Sequence, residues 1–89
     1  MSDAADVRLT LNRLFRLQFE QAQQAWVLLY PEGMVTLNPS AAEILRRCDG
    51  RFTQEELIAD IESAFQQSGI GSEISNFIGE ARRRGWLNA

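Results

Sequence analysis

Cys48 carries the most reactive side chain in this sequence, and it is the only cysteine among 89 residues. A cysteine nucleophile needs a neighbouring base, and a structural metal site needs further Cys or His ligands. The chain contains no histidine, and its nine basic residues are all arginines. General-base catalysis by histidine, Schiff-base chemistry and phosphate binding by a P-loop lysine are therefore disfavoured. We expect Cys48 to be a packing residue on an apolar helix face.

Two groups of charged residues could also carry a function. Glu55, Glu56, Asp60 and Glu62 could bind a cation, but the first two fall in the first turn of a predicted helix, where the helix dipole favours carboxylates. Arg82–Arg84 could contact phosphates, yet cations also favour a helix C-terminus. The net charge of −3 disfavours tight non-specific binding to nucleic acid. We therefore expect no metal site and no nucleic-acid partner, and an acidic peptide or protein suits the arginines at least as well.

The first third of the chain has the pattern of a three-stranded antiparallel meander. From residue 7 to residue 19 apolar residues alternate with polar ones, with one slip near Asn12 and Arg13, which predicts one strand with a solvated face. AWVLLY, at residues 25–30, is a short apolar run typical of a buried central strand. Pro31 to Gly33 predict a tight turn into a third strand, MVTLN, at residues 34–38.

Two helices with strong start signals are predicted next. Asn38 and Pro39 have the chemistry of an N-cap and a first helical position, so a helix is expected from there to Gly50. Thr53 and Glu56 match a capping box for the second helix. The apolar positions expected to be buried in this second helix are Leu57, Ile58, Ile61, Ala64 and Phe65.

A third helix is predicted near the end of the chain. Ser72 is expected to cap it and Gly85 to end it, after which Trp86 and Leu87 can fold back on the core. The element order predicts an α+β fold: one small winged-helix-like domain with a three-stranded antiparallel sheet followed by three helices. The chain shows no targeting or membrane-spanning segment, so we expect a cytoplasmic protein without a membrane partner.

The strand MVTLN is the most informative candidate for binding. If AWVLLY is central, MVTLN lies at an edge, and it contains neither lysine nor an internal proline that would block pairing with another strand. A peptide could add to this edge through backbone hydrogen bonds, while pockets between the strand and the third helix would read its side chains. Protection of the edge by a loop or by dimerisation is the alternative interpretation.

Five pieces of the sequence, taken in order, resemble the PqqD family of peptide chaperones from pyrroloquinoline quinone biosynthesis, the founding type of the recognition elements of ribosomally made, modified peptides. The matching pieces are RLQFEQAQ, VLLYPEGMVTLN, SAAEILRRCDG, TQEELIADIESAF and ARRRGWL. On this resemblance, residues 13–89 form a PqqD-like peptide-recognition domain. Residues 1–12 form an N-terminal segment that is partly extended or flexible.

The resemblance implies a non-enzymatic adaptor. It would bind the precursor peptide PqqA and present it to the radical-SAM enzyme PqqE, so any iron–sulfur cluster and S-adenosylmethionine belong to that enzyme and this chain needs no cofactor. The implied peptide-binding residues are Met34, Val35, Thr36, Leu37, Ile74, Phe77, Ile78, Ala81 and Arg82. A winged-helix DNA-binding module and a structural homodimer are the alternatives; we expect a monomer in working complexes, with a homodimer left open.

Overall fold

The computed structural model describes residues 7–88. In that part of the chain five strands and three helices follow one another. Their bounds are β1 Arg8–Thr10, β2 Arg16–Glu20, β3 Ala25–Tyr30, β4 Gly33–Thr36, α1 Pro39–Arg46, β5 Asp49–Thr53, α2 Gln54–Phe65 and α3 Gly71–Arg83. The predicted α+β class, with a three-stranded antiparallel sheet and three helices, is confirmed.

The three-stranded sheet has the order β2-β3-β4, so AWVLLY is central as predicted. Leu28 in β3 lies opposite Leu17 in β2 and Val35 in β4. Directly opposed residues share a face of the sheet, and this row packs against the helices. The alternation in the sequence therefore identified the core face of the meander correctly.

The prediction of one continuous first strand is wrong, because residues 7–20 divide between two sheets. β1 pairs with β5 in a separate two-stranded sheet, and β2 pairs with β3. The division occurs at Asn12, whose side-chain oxygen accepts a hydrogen bond from the Leu14 N–H at 2.9 Å. Its carbonyl accepts from the Phe15 N–H at 2.9 Å. An asparagine that bonds the backbone two residues ahead makes a turn, and here that turn redirects the chain.

The described part of the N-terminal segment belongs to the same folded unit as the rest of the chain. Leu9 is fully buried in the core, and Leu11 forms an isolated bridge with Leu87. The Thr10 carbonyl accepts a hydrogen bond from the Asn88 N–H at 2.8 Å. β1 lies within the predicted N-terminal segment, residues 1–12, of which residues 1–6 lie outside the described residues.

The start signals of α1 and α2 are confirmed. The Asn38 side chain accepts a hydrogen bond from the Ala41 N–H at 2.8 Å, with Pro39 in the first turn. The Thr53 hydroxyl accepts from the Glu56 N–H at 3.2 Å, and the Glu56 carboxylate accepts in return from the Thr53 N–H at 3.0 Å. Each cap satisfies backbone donors that have no partner inside the helix.

The first helix ends earlier than predicted. α1 stops at Arg46, and the residues from Asp49 onward form β5, with Gly50 at a φ of +90° inside that strand. Gly50 therefore adopts the positive φ expected of it, but in a strand and not at a helix end. Pairing with β1 decides this segment, and that pairing joins residues about 40 positions apart, which a local pattern cannot detect.

The third helix starts without the predicted serine cap. Its N-cap position is Ile70, which makes no side-chain hydrogen bond. Instead, the Ile70 N–H donates to the Glu62 carboxylate at 3.2 Å, and the Ile70 side chain packs against the core. The prediction for Ser72 is therefore wrong, because tertiary packing of an apolar residue fixes where this helix begins.

The end of α3 follows the prediction. Gly85 has a φ of +79°, its N–H donates to the Arg82 carbonyl, and the Trp86 N–H donates to the Ala81 carbonyl at 2.9 Å. This pair of bonds is the Schellman arrangement, which glycine favours because it has no Cβ. It turns Trp86 and Leu87 back into the core, where they are 9% and 5% exposed.

The core lies between one face of the three-stranded sheet and the three helices. Leu57 and Ile61 of α2 are buried there, but Ala64 is exposed and Phe65 is 40% exposed, contrary to the prediction. Phe65 ends α2 at the border of a cavity between the helices, where packing neighbours are missing on one side. Within residues 7–88 no helix is long and apolar enough to cross a membrane.

Candidate functional site

β4 presents a free edge of the three-stranded sheet. Among residues 7–88 it pairs with β3 alone. The Leu37 N–H, just past the end of β4, donates to the Trp26 carbonyl of β3 at 2.9 Å. Successive residues of a strand point their backbone groups to opposite sides, so Val35 also bonds toward β3 while Met34 and Thr36 point theirs outward. Two residues of β4 thus offer backbone donors and acceptors to an additional strand.

The side chains of this edge differ in exposure. Met34 is 50% exposed, Val35 is half-buried and Leu37 is buried at 6%. The Thr36 hydroxyl lies 3.3 Å from the side-chain oxygen of Gln23, to which it donates a hydrogen bond. That contact joins the β2–β3 loop to the end of β4 by a side chain and leaves the backbone groups of Thr36 unoccupied.

The α3 residues predicted for peptide binding mostly face inward. Ile74 is 5% exposed, and Ile78 and Ala81 are fully buried. Phe77 is half-buried, with its ring centroid 6.4 Å from that of Trp86. The helical periodicity was interpreted correctly as an apolar face, but most of that face packs on the core and forms a floor rather than an open surface.

The nine predicted site residues therefore separate into two groups. Those reachable from outside in this structure are Met34, Val35, Thr36, Phe77 and Arg82. Those covered by the fold are Leu37, Ile74, Ile78 and Ala81. A peptide that contacts the second group must do so through gaps between helices or after a movement of α3.

One such gap is a cavity of about 240 Å³ among the three helices, which we call the three-helix cavity. The N-terminal turns of α1, the end of α2, the loop after it and the first half of α3 line it, and it is open to solvent on one side. Its lining residues are Asn38, Ser40, Ala41, Ile44, Ile61, Phe65, Gln67, Ile70, Glu73, Ile74 and Phe77. Of these, only Ile74 and Phe77 were predicted as site residues. Phe65 and Ile70 were missed because the sequence pattern assigned Phe65 to the core and the break after it to a loop.

Cys48 packs in the core, as predicted, but not from a helix face. It lies in the turn after α1 and is 3% exposed, and its thiol donates to the Ile44 carbonyl at 3.3 Å. Burial, with a smaller contribution from the negative charge of Asp49, raises the pKa of the Cys48 thiol to about 12. The thiol is therefore protonated at neutral pH and is a poor nucleophile.

The charged residues are engaged mainly in local ion pairs. Arg83 and Arg84 both contact Glu80, at 2.5 and 2.8 Å, and the Arg84 guanidinium lies 5.6 Å from the centre of the Trp86 ring. Two of the three arginines of this run thus neutralise a neighbouring carboxylate.

In the part of the chain that the structure describes, no group of three His, Cys, Asp or Glu side chains could hold a metal ion.

Residues 25–87 match the family model described as coenzyme PQQ synthesis protein D, PqqD. This range runs from the start of β3 to the buried C-terminal Leu87. It includes the free edge of β4 and every lining residue of the three-helix cavity.

Two relatives illustrate the similarity over nearly the whole chain. The PqqA binding protein of Methylococcus capsulatus is 40% identical over 98% of this chain and 94% of its own length. The PqqA binding protein of Azotobacter vinelandii is 46% identical over 86% of this chain and 85% of its own length. With 98% of the chain covered, the similarity to the Methylococcus protein includes the N-terminal strands β1 and β2.

A solved structure supports the same fold. The PqqD truncation of Methylobacterium extorquens PqqCD, described as a functional and stand-alone recognition element for ribosomally synthesized and post-translationally modified peptides, superposes with a TM-score of 0.75. The aligned region covers 91% of this chain and 88% of that chain, at 24% identity. At this level of identity the comparison establishes the architecture alone.

Proposed function

The chain belongs to the PqqD family, and we propose from that membership that it is a non-catalytic peptide chaperone of pyrroloquinoline quinone biosynthesis. It binds the precursor peptide PqqA and presents it to the radical-SAM enzyme PqqE. The relatives named above are PqqA binding proteins, which supports the choice of peptide. The proposal implies action in the cytoplasm, where ribosomal peptides are made.

The observation that carries the proposal is the free edge of β4. The backbone groups of Met34 and Thr36 point away from the sheet, so an extended peptide can pair with them and become the next strand. Main-chain hydrogen bonds supply affinity without regard to side chains, and pockets beside the edge supply the selection. Phe77 is half-buried, packs against the core and lines the three-helix cavity, so part of its ring is available to a bound peptide.

The proposed contact set remains the nine residues inferred from the sequence, now with two roles. Met34, Val35 and Thr36 make the direct strand contacts, and Phe77 and Arg82 add contacts from α3. The remaining members support the groove from below: Leu37, Ile74, Ile78 and Ala81.

The non-catalytic role agrees with the chemistry of the described residues. The one thiol is buried and protonated at neutral pH, so it does not supply the activated thiolate that covalent catalysis by cysteine requires. The cross-linking chemistry, with its cluster and S-adenosylmethionine, is assigned to the enzyme partner. We propose that the chaperone acts as a monomer, because pairing of two β4 edges would occupy the surface that the peptide needs.

The experiment that tests the proposal is an NMR titration of the isotope-labelled protein with the PqqA precursor peptide and, separately, with duplex DNA. Shifts concentrated in β4 and around Phe77, with no response to DNA, are expected. Absence of any response to the peptide at high micromolar concentration, with the protein folded, would overturn it.

A Thr36→Pro variant sharpens the test. Proline removes an N–H that points to the free edge, so the β3–β4 bonds are retained while a bond to the peptide is lost. The matched control is Phe19→Pro, because the same alternation leaves the Phe19 N–H at the opposite free edge, on β2. Weakened peptide binding in Thr36→Pro alone is expected.

A further inference from the structure

β2 is the second free edge of the three-stranded sheet. Among residues 7–88 it pairs with β3 alone. The Trp26 carbonyl bonds toward β4, so Val27 bonds toward β2, where it lies opposite Gln18. The neighbours of Gln18, Leu17 and Phe19, therefore point their backbone N–H and C=O groups away from the sheet. β2 contains neither lysine nor proline and pairs with β3 without a bulge, so common blocks to edge pairing are missing.

The sequence of β2, RLQFE at residues 16–20, is complementary to its own reverse. An antiparallel copy centred on Gln18 places Arg16 opposite Glu20 of the second chain and Leu17 opposite Phe19. Opposite charges and pairs of apolar side chains that face each other across two strands both stabilise a sheet. A shift of this register by two residues, the smallest shift that keeps the outward backbone groups paired, removes both charge pairs.

We propose that β2 pairs with β2 of a second copy of this chain, antiparallel and with Gln18 on the two-fold axis. The two sheets then join into one, with the strand order β4-β3-β2-β2-β3-β4. Neighbouring strands lie about 4.8 Å apart, so the two β4 edges are about 24 Å apart at opposite ends of the joined sheet. Both edges stay free for a peptide, and the inference does not depend on which peptide binds there.

The charges of β2 have no partner within the fold. Arg16 is exposed and Glu20 is half-buried, and neither forms an ion pair within residues 7–88. In one strand these two residues lie about 13 Å apart, too far to contact each other. Between two copies they face each other at a position without backbone hydrogen bonds, where Cα atoms are about 4.5 Å apart and side chains approach most closely. The two-fold axis forms this ion pair twice.

The apolar residues of β2 gain cover from the second copy. Phe19 is 41% exposed, although its ring packs against Trp26 with the centroids 5.5 Å apart. In the proposed register Leu17 of the second chain lies beside this ring. Leu17 and Phe19 of opposite chains also exchange both of their backbone hydrogen bonds. The same contact thus buries an exposed aromatic side chain and satisfies the outward backbone groups of the edge.

The size of this contact implies weak, reversible association. Stable protein interfaces involve about 20–30 residues a side, whereas β2 contributes five. Monomers therefore predominate at low micromolar concentration, in agreement with a chaperone that acts as a monomer. The paired form is populated as the protein concentration rises toward the millimolar range.

The first test uses the protein alone. Sedimentation equilibrium from low micromolar to millimolar concentration should show an average mass that rises from one chain toward two. Amide NMR shifts that depend on concentration should be confined to residues 16–20 and their immediate neighbours. A protein that stays monomeric at millimolar concentration overturns the inference, and so do shifts confined to any other surface.

Charge reversal tests the register. Arg16→Glu and Glu20→Arg each turn two attractive pairs into two repulsive ones and should weaken self-association about tenfold. An equimolar mixture of the two variants should recover it, because each chain then presents the charges that the other lacks. The matched control is Glu32→Arg, which makes the same change of charge in the exposed β3–β4 turn and should associate like wild type. Failure of the mixture to recover association would exclude the proposed register.

The two proline variants identify which edge pairs. Phe19→Pro removes an N–H that points away from β2 and should abolish self-association, while Thr36→Pro, at the β4 edge, should retain it. Loss in Thr36→Pro, or retention in Phe19→Pro, shows that the copies meet elsewhere and overturns the inference. These measurements need no peptide, so the self-pairing of β2 and the proposed peptide binding at β4 can fail separately.

Discussion

The guanidinium of Arg47 joins two helices: its Nε lies 2.7 Å from a carboxylate oxygen of Asp60 in α2, while its Nη1 contacts Glu43 of α1 at 2.8 Å. Nη1 also donates to the Glu43 carbonyl at 2.8 Å. The Arg47 side chain is only 14% exposed, so its charge is held by these partners and not by water. This arginine fixes the helix that follows β4 against the helix that ends at the three-helix cavity.

Replacement of Arg47 by alanine should lower the free energy of unfolding by about 1–2 kcal/mol. Hydrogen bonds to charged groups contribute about 1.5–3 kcal/mol, and the partial exposure of both carboxylates reduces that value. Arg46→Ala is the matched control, because Arg46 is 46% exposed and pairs with the same Glu43. It should cost about 0.5 kcal/mol. Urea denaturation measures both, and equal losses would contradict the special position of Arg47.

Acid should lower the free energy of unfolding, in part because it protonates Glu43. The hydrogen bond from Arg47 lowers the pKa of the Glu43 carboxyl below its ordinary 4.5. A lowered pKa in the folded state contributes stability above about pH 4.5, and this contribution is lost as the pH falls through the folded-state pKa. Glu43→Gln should therefore have a lower free energy of unfolding than wild type at neutral pH. This difference should become smaller in acid.

The control for Glu43 is Glu32→Gln, in the exposed β3–β4 turn. It should follow the wild-type pH profile. If the difference in the free energy of unfolding between wild type and Glu43→Gln stays constant from neutral pH into acid, the lowered pKa of Glu43 does not contribute to stability.

The helix caps should differ sharply in their contribution to stability. Asn38→Ala and Thr53→Ala each remove a side-chain acceptor from a helix start and should cost about 1 kcal/mol. Ser72→Ala is the control, because α3 begins at Gly71 with Ile70 as its N-cap, so the serine hydroxyl makes no cap. Thermal or urea unfolding tests the set. A loss at Ser72 as large as that at Thr53 would show that α3 begins two residues later in solution, with Ser72 as its N-cap.

Alkali should destabilise the protein through Cys48. Its pKa is raised from an ordinary 9.0 to about 12 in the fold, so the unfolded chain loses the thiol proton first. The raised pKa contributes stability fully below about pH 9 and loses it as the pH rises toward 12. At about pH 10.5 wild type should have lost about 2 kcal/mol more stability than Cys48→Ala, because that pH is about 1.5 units above the unfolded-state pKa.

A second measurement on Cys48 is independent of that comparison. The native thiol should react with a maleimide far more slowly than the thiol of the urea-unfolded protein, because it is 3% exposed and protonated. Equal rates in the two states would show that the turn after α1 opens readily.

Local chemistry made the helix starts predictable. The signals at Asn38 and at the Thr53–Glu56 pair depend on residues three positions apart, and each is confirmed as a hydrogen bond. Pairing between β1 and β5 was missed because it joins short segments far apart in the chain, and no local pattern reports a distant partner. The interruption of the apolar–polar alternation near Asn12 indicated the division between β1 and β2.

The free edge of β4 could be predicted from the sequence. The burial of the α3 residues could not. The alternation around β4 and the central position of β3 were enough to identify a free edge. Periodicity marked Ile74 and Ile78 as apolar but cannot tell a face that packs on the core from one that lines a groove. The same limit explains Phe65, which shares its helix face with Leu57 and Ile61 but extends past the last neighbours that could cover it.

The two ends of the described chain run side by side. The Asn88 N–H bonds to the Thr10 carbonyl at 2.8 Å and the Asn12 N–H to the Trp86 carbonyl at 2.7 Å, with Leu11 bridged to Leu87 between them. Polypeptide joined to either end would leave the fold from adjacent points, a geometry that favours tandem fusion, insertion into a host protein and circular permutation. The related structure from Methylobacterium extorquens, a truncation of the longer PqqCD, is an example of this architecture within a larger chain.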